Sequence, residues 1–498
     1  MTDFFDIADE GENVEREAYD REVETLRADL LDVQYSLKEN GKFPVIVLVN
    51  GVDGAGKGET VNILNEWMDA RHIHTKAFAP PTEEELERPR LYRYWMNLPP
   101  KGSIGLLFGS WYTDPIVDRV YRRTKRSDLD DAVDEITRLE RLLVADGALL
   151  IKLWFHLSKK DQKKRLTELD EDERRTWRVT RADWKQFRRY DDFRRVSSYV
   201  LSRTSLDGAT WTVVNGRDAR HRYLTVGRLL LSAMKQRLER AQAEPARSAP
   251  AQLVRTTAAE SPIDSLDFSK TISEEDYNDE LERLRGRLNR LTRHKHFSKI
   301  SVVAAFEGMD AAGKGSTIRR IISAVDARLY RVIPISAPTE EERAKPYLYR
   351  FYRQLPRHGH MTLYDRSWYG RVLVERVEGY CSEQDFMRAY DEINDFEAQL
   401  VKSRAVVVKF WLQVSKDEQL RRFEERSHTR FKRFKITPED YRNREKWDAY
   451  QIAAADMIVR TSTSHAPWTL VPANDKKYSR IHAMRTLVER MEEALDAL

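Results

Sequence analysis

An internal repeat restricts this chain more than any other feature. A shift of 257 residues carries Lys57 onto Lys314 and Trp111 onto Trp368. The same shift takes Pro81-Thr82 to Pro338-Thr339, Leu91-Tyr92-Arg93 to Leu348-Tyr349-Arg350, and Leu98-Pro99 to Leu355-Pro356. Lys152, Trp154 and Ser158 meet Lys409, Trp411 and Ser415; Thr180, Trp211 and Asp218 meet Thr437, Trp468 and Asp475, without a gap. The chain is a duplicated domain, so its fold must be one that is built twice. Its 498 residues also exceed one ordinary core, and length alone suggests roughly two to four domains.

Each copy runs strand, glycine–lysine loop, helix. In the second, the apolar run Ile300 to Phe306 reads as a buried strand, and Ile318, Ile321, Ile322 and Val325 fall at helical spacing. Between them lies Glu307-Gly308-Met309-Asp310-Ala311-Ala312-Gly313-Lys314-Gly315-Ser316-Thr317. This is the context of a phosphate-binding P-loop: Gly308 and Gly313 let backbone N–H groups turn inward, the helix N-terminus adds positive potential, and Lys314 supplies a mobile charge. The match to G-x-x-x-x-G-K-[ST] is imperfect, because Gly315 stands where the hydroxyl belongs and Ser316 and Thr317 come late. The first copy has the strand Phe43 to Asn50, then Gly51-Val52-Asp53-Gly54-Ala55-Gly56-Lys57-Gly58. Amphipathic helices precede both, through Val23, Leu26, Leu30, Leu31 and Val33, and through Leu281, Leu284, Leu288 and Leu291.

Alternating strands and helices predict an α/β fold: two tandem P-loop kinase domains, each a parallel sheet flanked by helices with a helical lid. Ligand is expected at the carboxyl ends of the strands. The domains are expected at residues 1–240 and 265–498, with a linker over 241–264 rich in Ala, Pro, Ser and Gln.

Composition bounds the rest. The chain is 41% hydrophobic and 34% charged with a net charge of +5, which suits a globular protein and does not announce a nucleic-acid binder. Cys381 is the single cysteine, so no disulfide framework exists; it reads as a small buried hydrophobe in a reducing compartment. Met1 to Glu17 is acidic and lacks an apolar core, so neither a secretory signal nor a membrane anchor is expected and cytoplasm is the default.

Phosphoryl transfer needs a metal-binding carboxylate at a neighbouring strand end and cations around the transferred group. The second copy supplies Met361-Thr362-Leu363-Tyr364-Asp365-Arg366-Ser367-Trp368-Tyr369, a short apolar strand that delivers Asp365 at its end as a metal ligand. Arg366 and Arg371 follow as candidate phosphate clamps. A basic run with Arg426, Arg430, Lys432, Arg433 and Lys435 reads as a lid of the kind that closes over the transferred phosphate in nucleoside monophosphate kinases. The first copy lacks these parts. Phe108 replaces Asp365, Gly109 replaces Arg366, Asp114 replaces Arg371, and Glu59 replaces Ser316, aimed where a phosphate would lie. From Glu424 to Lys435 there are five cations against two acids, whereas from Thr167 to Arg178 there are three against five. The first copy is expected to be structural or regulatory.

With these motifs assembled the chain resembles the family-2 polyphosphate kinases, in particular their fused form with two tandem kinase domains. The resemblance rests on Gly308-x-Asp310-x-x-Gly313-Lys314-Gly315, Asp365-Arg366-Ser367-Trp368-Tyr369, Lys435-Ile436-Thr437-Pro438 and Pro467-Trp468…Asn474-Asp475-Lys476-Lys477. The glycine after the P-loop lysine is the form that family uses. The resemblance implies phosphoryl transfer between inorganic polyphosphate and a nucleotide with Mg²⁺, the fused form being associated with AMP as acceptor and ADP as product. Carried over, Lys314 and its loop would hold the polyphosphate end, Asp310 would position acceptor or metal, and Asp365 would bind Mg²⁺. Arg366, Arg371 and the lid cations would hold nucleotide phosphate and polyphosphate. The alternatives are a polyphosphate-dependent ADP kinase, an ATP-dependent nucleoside monophosphate kinase and, since Arg430-Phe431-Lys432-Arg433-Phe434 interleaves cations with aromatics, a nucleic-acid-binding protein. Neither nucleic acid nor membrane is expected as a partner, and a homodimer is allowed. His72 with His74 and His358 with His360 lack further ligands and read as ordinary loop histidines.

Overall fold

The structure is a computed structural model that describes residues 5, 13–174, 176–243, 261–430, 436 and 438–498. Most of the expected linker, and Lys432, Arg433, Lys435 and Thr437, lie outside the described residues. The chain divides into two compact units, one of Met1–Pro81, Arg93–Glu244 and Thr339–Tyr347, the other of Thr82–Tyr92, Pro245–Pro338 and Leu348–Leu498.

The first unit holds strands β1 (Val45–Gly51), β2 (Ile73–Ala77), β3 (Ile104–Phe108), β4 (Leu149–His156) and β5 (Trp211–Asn215). The second holds β6 (Ser301–Gly308), β7 (Tyr330–Pro334), β8 (Met361–Asp365), β9 (Ala405–Gln413) and β10 (Trp468–Pro472). Each set forms a five-stranded parallel sheet, ordered β2-β3-β1-β4-β5 and β10-β9-β6-β8-β7. The orders are the same under the repeat. All nine residues of β9 and the first seven of β6 are buried, because helices cover both faces of a parallel sheet and its central strands read as unbroken apolar runs.

Helix positions follow the apolar stripes. Arg16–Asn40 buries Leu26, Leu30, Val33 and Leu37 and packs on Ala219–Ala243; Glu274–Thr292 buries Leu281, Leu284 and Leu288 and packs on Lys476–Asp496. Leu31, expected on the apolar face, is 36% exposed, one position off the stripe. The P-loop strand β6 is central. The chain leaves it first toward β7 and β8, then toward β9 and β10. Such a reversal opens a crevice at the carboxyl ends of the strands. The register sets Phe306 beside both Asp365 and Phe410.

A buried polar network pins the loop after β8. Lys409 Nζ on β9 pairs with Glu397 Oε2 at 2.7 Å and donates to Tyr369 OH (2.9 Å) and the Thr461 carbonyl (2.7 Å). Glu397 Oε1 accepts from Trp368 Nε1 (3.0 Å) and Tyr369 OH (2.6 Å). The first unit repeats it: Lys152 pairs with Glu140 at 2.7 Å, and Glu140 accepts from Trp111 (3.0 Å) and Tyr112 (2.6 Å). Both ion pairs are fully buried. Removing one partner strands the other's charge in an apolar core. Lys409→Met and Lys152→Met are therefore each expected to lose about 3–5 kcal/mol of stability, read as a fall in the urea midpoint; an unchanged midpoint for either would contradict the structural role.

Candidate active site

The loop between β6 and the helix Lys314–Ile322 is shaped by two glycines. Gly308 has φ +139°, and a Cβ there would lie 2.2 Å from the Leu412 carbonyl oxygen. Gly313, at the helix N-cap, has φ +111°. The loop closes on Lys314, whose ammonium donates to the carbonyls of Gly308 (2.7 Å) and Met309 (3.3 Å). Burial pushes the Lys314 ammonium down, against the opposing pull of Asp310.

Asp365 ends β8 beside this loop. A Cβ on Gly315 would lie 3.2 Å from Asp365 Oδ2, so the missing P-loop hydroxyl leaves room that a strand-end carboxylate fills. Among the described residues no hydrogen bond or ion pair engages that carboxylate. Asp310, by contrast, is fully engaged: Oδ1 accepts from Arg366 Nη2 (3.1 Å) and Oδ2 from Asn443 Nδ2 (2.9 Å). Burial raises the Asp310 carboxyl, but Lys314 and then Arg366 outweigh it and hold the group below the usual range. Asp310, Lys314, Asp365 and Arg366 thus share one charge cluster. Arg366 adopts a left-handed φ of +65°, a strained backbone for a residue with a Cβ.

Sequence reasoning missed several members. Glu307 is buried and accepts from Ser367 N (2.6 Å) and Oγ (2.8 Å). Burial pushes its carboxyl up, opposed by Ser367 and the Lys314 and Arg366 charges. Its only signal was the other copy, where Asn50 takes the place and accepts from Ser110 Oγ at 3.1 Å. Arg422 is buried beneath the loop, donating to the carbonyls of Ala311 (2.9 Å), Ala473 (2.6 Å) and Asn474 (2.9 Å). Gln419 holds the Asp310 carbonyl (3.0 Å), as Gln162 holds that of Asp53 (2.9 Å).

The remaining expected phosphate ligands lie in the helix after the loop, beside Glu375 and at the start of the basic run. Ser316 Oγ and Thr317 Oγ1 both donate back to the Gly313 carbonyl, at 2.9 and 3.2 Å, and Thr317 is buried. Arg371 is paired with Glu375 at 2.8 Å and borders Asp385. Arg426 lies at the end of the helix Lys416–His428, close enough to act on Arg422, and Arg430 is exposed in the following turn. The histidine pairs belong to no metal-ligand cluster among the described residues, and Cys381 is buried, its thiol donating to the Arg371 carbonyl at 3.6 Å.

The first unit's loop has different neighbours. Phe108 replaces the carboxylate, its ring 4.0 Å from where a Gly58 Cβ would stand. Glu59, which replaces Ser316, pairs with Arg222 (2.8 Å) and Arg165 (3.6 Å). The Arg222 guanidinium is buried against Gly56, where an added Cβ would lie 2.1 Å from it.

A family model described as Polyphosphate kinase 2 (PPK2) matches residues 13–242 and again 271–497. A polyphosphate:AMP phosphotransferase of Pseudomonas aeruginosa is 50% identical over 98% of this chain and 99% of its own. One from Acinetobacter johnsonii is 37% identical over 95% and 97%. A crystal structure of a polyphosphate kinase 2 from Pseudomonas aeruginosa superposes with a TM-score of 0.89 at 48% identity, covering 99% of both chains.

The closeness of Gly315 to Asp365 yields an asymmetric expectation. Gly315→Ala should raise stability by roughly 0.5 kcal/mol through the unfolded chain yet cut turnover about tenfold or more by displacing the carboxylate. Gly58→Ala, facing only the Phe108 ring, should leave turnover unchanged. Melting curves and initial rates on both variants check it; full activity in Gly315→Ala would show that the 3.2 Å approach has no catalytic consequence.

Proposed function

The chain belongs to the polyphosphate kinase 2 family, and on that footing we propose that it transfers a phosphoryl group from inorganic polyphosphate to AMP, giving ADP, in its C-terminal unit. The observation that carries the assignment of the unit is the Asp365 carboxylate, without hydrogen bond or ion pair among the described residues, set against the P-loop at Gly315; the first unit has Phe108 there.

The donor is a flexible polyanion without a base to stack, so charge and backbone N–H groups must recognise it. Lys314, the loop N–H groups and the helix N-terminus receive its terminal phosphates. Arg366, half exposed and tied to Asp310, reaches the side where the acceptor phosphate approaches and offsets the repulsion between two anions. Arg426 and Arg430 add positive charge along the path of the polyanion.

A divalent ion fits this residue set. Among the described residues no cluster of three ligating side chains exists, and Mg²⁺ ordinarily takes one or two carboxylates, completing its shell with phosphate oxygens and water. Asp365 would hold it directly, with Asp310, both of whose oxygens are already engaged, in support. When bound it supplies charge neutralisation at the transferred phosphate. No described helix is long and apolar enough to cross a membrane; with a single, buried cysteine, a reducing cytoplasm suits the protein.

Purified protein given AMP should form ADP with polyphosphate as donor and not with ATP; the reverse preference would overturn the donor. Asp365→Ala should lose about a hundredfold or more in turnover with unchanged melting, whereas Lys57→Ala should cost little per folded molecule. A collapse in Lys57→Ala matching that of Lys314→Ala would place chemistry in the first unit as well.

A further inference from the structure

In the first unit the P-loop lysine is neutralised by its own loop. Lys57 Nζ donates to Asp53 Oδ1 at 3.1 Å, besides the carbonyls of Gly51 (2.7 Å) and Val52 (2.9 Å). In the second unit the matching aspartate turns elsewhere. Asp310 is taken on one oxygen by Arg366 and on the other by Asn443. Among the described residues Lys314 makes no ion pair, donating only to Gly308 and Met309. The frame around the two aspartates is otherwise alike, with Gln162 and Gln419 holding the same backbone carbonyl. What differs is the pair of residues that capture the carboxylate: Gly109 stands for Arg366 and Gln186 for Asn443.

We infer that Asn443 is a positioning residue which, with Arg366, holds the Asp310 carboxylate off Lys314, so that the ammonium's charge stays available to the anionic donor. The inference rests on the polyphosphate reading above. An ion pair at about 3 Å cancels most of the field a lysine presents to an arriving phosphate, and a donor would have to break it to bind. Asn443 suits the task because its amide carries no charge: it satisfies Oδ2 without attracting phosphate itself, as Arg366 would. Its own place is secured by neighbours. It lies on the helix Pro438–Glu445, where Arg444 donates to the Lys416 carbonyl (2.6 Å) and to Gln419 Oε1 (3.3 Å). Just beyond that helix, Lys446 pairs with Glu378 at 2.6 Å. The helix following the basic lid run is thereby fastened to the P-loop through one side-chain amide.

The test is equilibrium binding of inorganic polyphosphate to the full chain without nucleotide or divalent ion, comparing wild type, Asn443→Ala, Asn443→Gln, Asp310→Ala and the double variant Asn443→Ala/Asp310→Ala. Asn443→Ala is expected to weaken binding about tenfold, and Asn443→Gln, which copies the first unit, to weaken it in the same direction. Asp310→Ala should bind at least as well as wild type, and adding it to Asn443→Ala should restore affinity, because the Asp310 carboxylate is no longer there to swing onto Lys314. In turnover, Asn443→Ala should raise KM for polyphosphate more than it lowers kcat. A merely structural amide would give additive losses in the double variant. Such additivity, or Asn443→Ala and Asn443→Gln both within about twofold of wild type, overturns the inference. A wild type that binds no polyphosphate would instead overturn the donor assignment on which it rests.

Discussion

A buried ammonium–carboxylate pair, Lys409 with Glu397, is the interaction on which the catalytic geometry depends. Burial pushes the lysine down and the glutamate up, and each opposes the other's shift by mutual attraction. With the Trp368 and Tyr369 donors the pair joins β9, the helix Glu383–Lys402 and the loop leaving β8 into one rigid block. That block fixes where β8 stops, and so where Asp365 and Arg366 face the P-loop. A buried pair rarely adds net stability, but losing either partner is costly, so a structure that contains one is committed to its geometry.

The same block in the first unit ends in Phe108 where the second has Asp365. What the copies share is therefore scaffold: the sheet order, the Lys–Glu–Trp–Tyr network and the glutamine on the loop carbonyl. What they do not share is charge placement: Asp365, Arg366, Glu307 and Asn443 against Phe108, Gly109, Asn50 and Gln186. Backbone conformation makes the same division. The left-handed position after β3 and β8 is Gly109 in one unit, at φ +67°, and Arg366 in the other, at φ +65°. Such a conformation costs a residue with a Cβ on the order of 1 kcal/mol. The second unit bears it where a guanidinium must reach Asp310. Arg404 has similar strain, at φ +64° against +95° for Gly147, with no chemistry attached to it.

Much of this was legible from residues alone. The 257-residue shift required two copies of one fold, an unbroken apolar run located β6, and β8 ends at Asp365 where its pattern places it. These are local or periodic signals, and burial enforces them. Less legible were the partners that particular side chains take. Arg371, read as a clamp, is paired with Glu375; Glu59, read as a charge aimed at phosphate, is paired with Arg222; Thr317, read as a loop ligand, is buried and donates back to the Gly313 carbonyl.

The sequence by itself determined the duplication, the α/β class, the strand–loop–helix order and the asymmetry between a copy with a strand-end aspartate and one without. Only the tertiary structure decided which charges remain free. Asn443 is 133 residues from Asp310 along the chain, and nothing in its local pattern distinguishes it from any solvated helix residue. Whether a carboxylate neutralises the neighbouring lysine or is drawn away from it depends on hydrogen bonds formed across space, at ångström precision, once the sheet has brought the strand ends together.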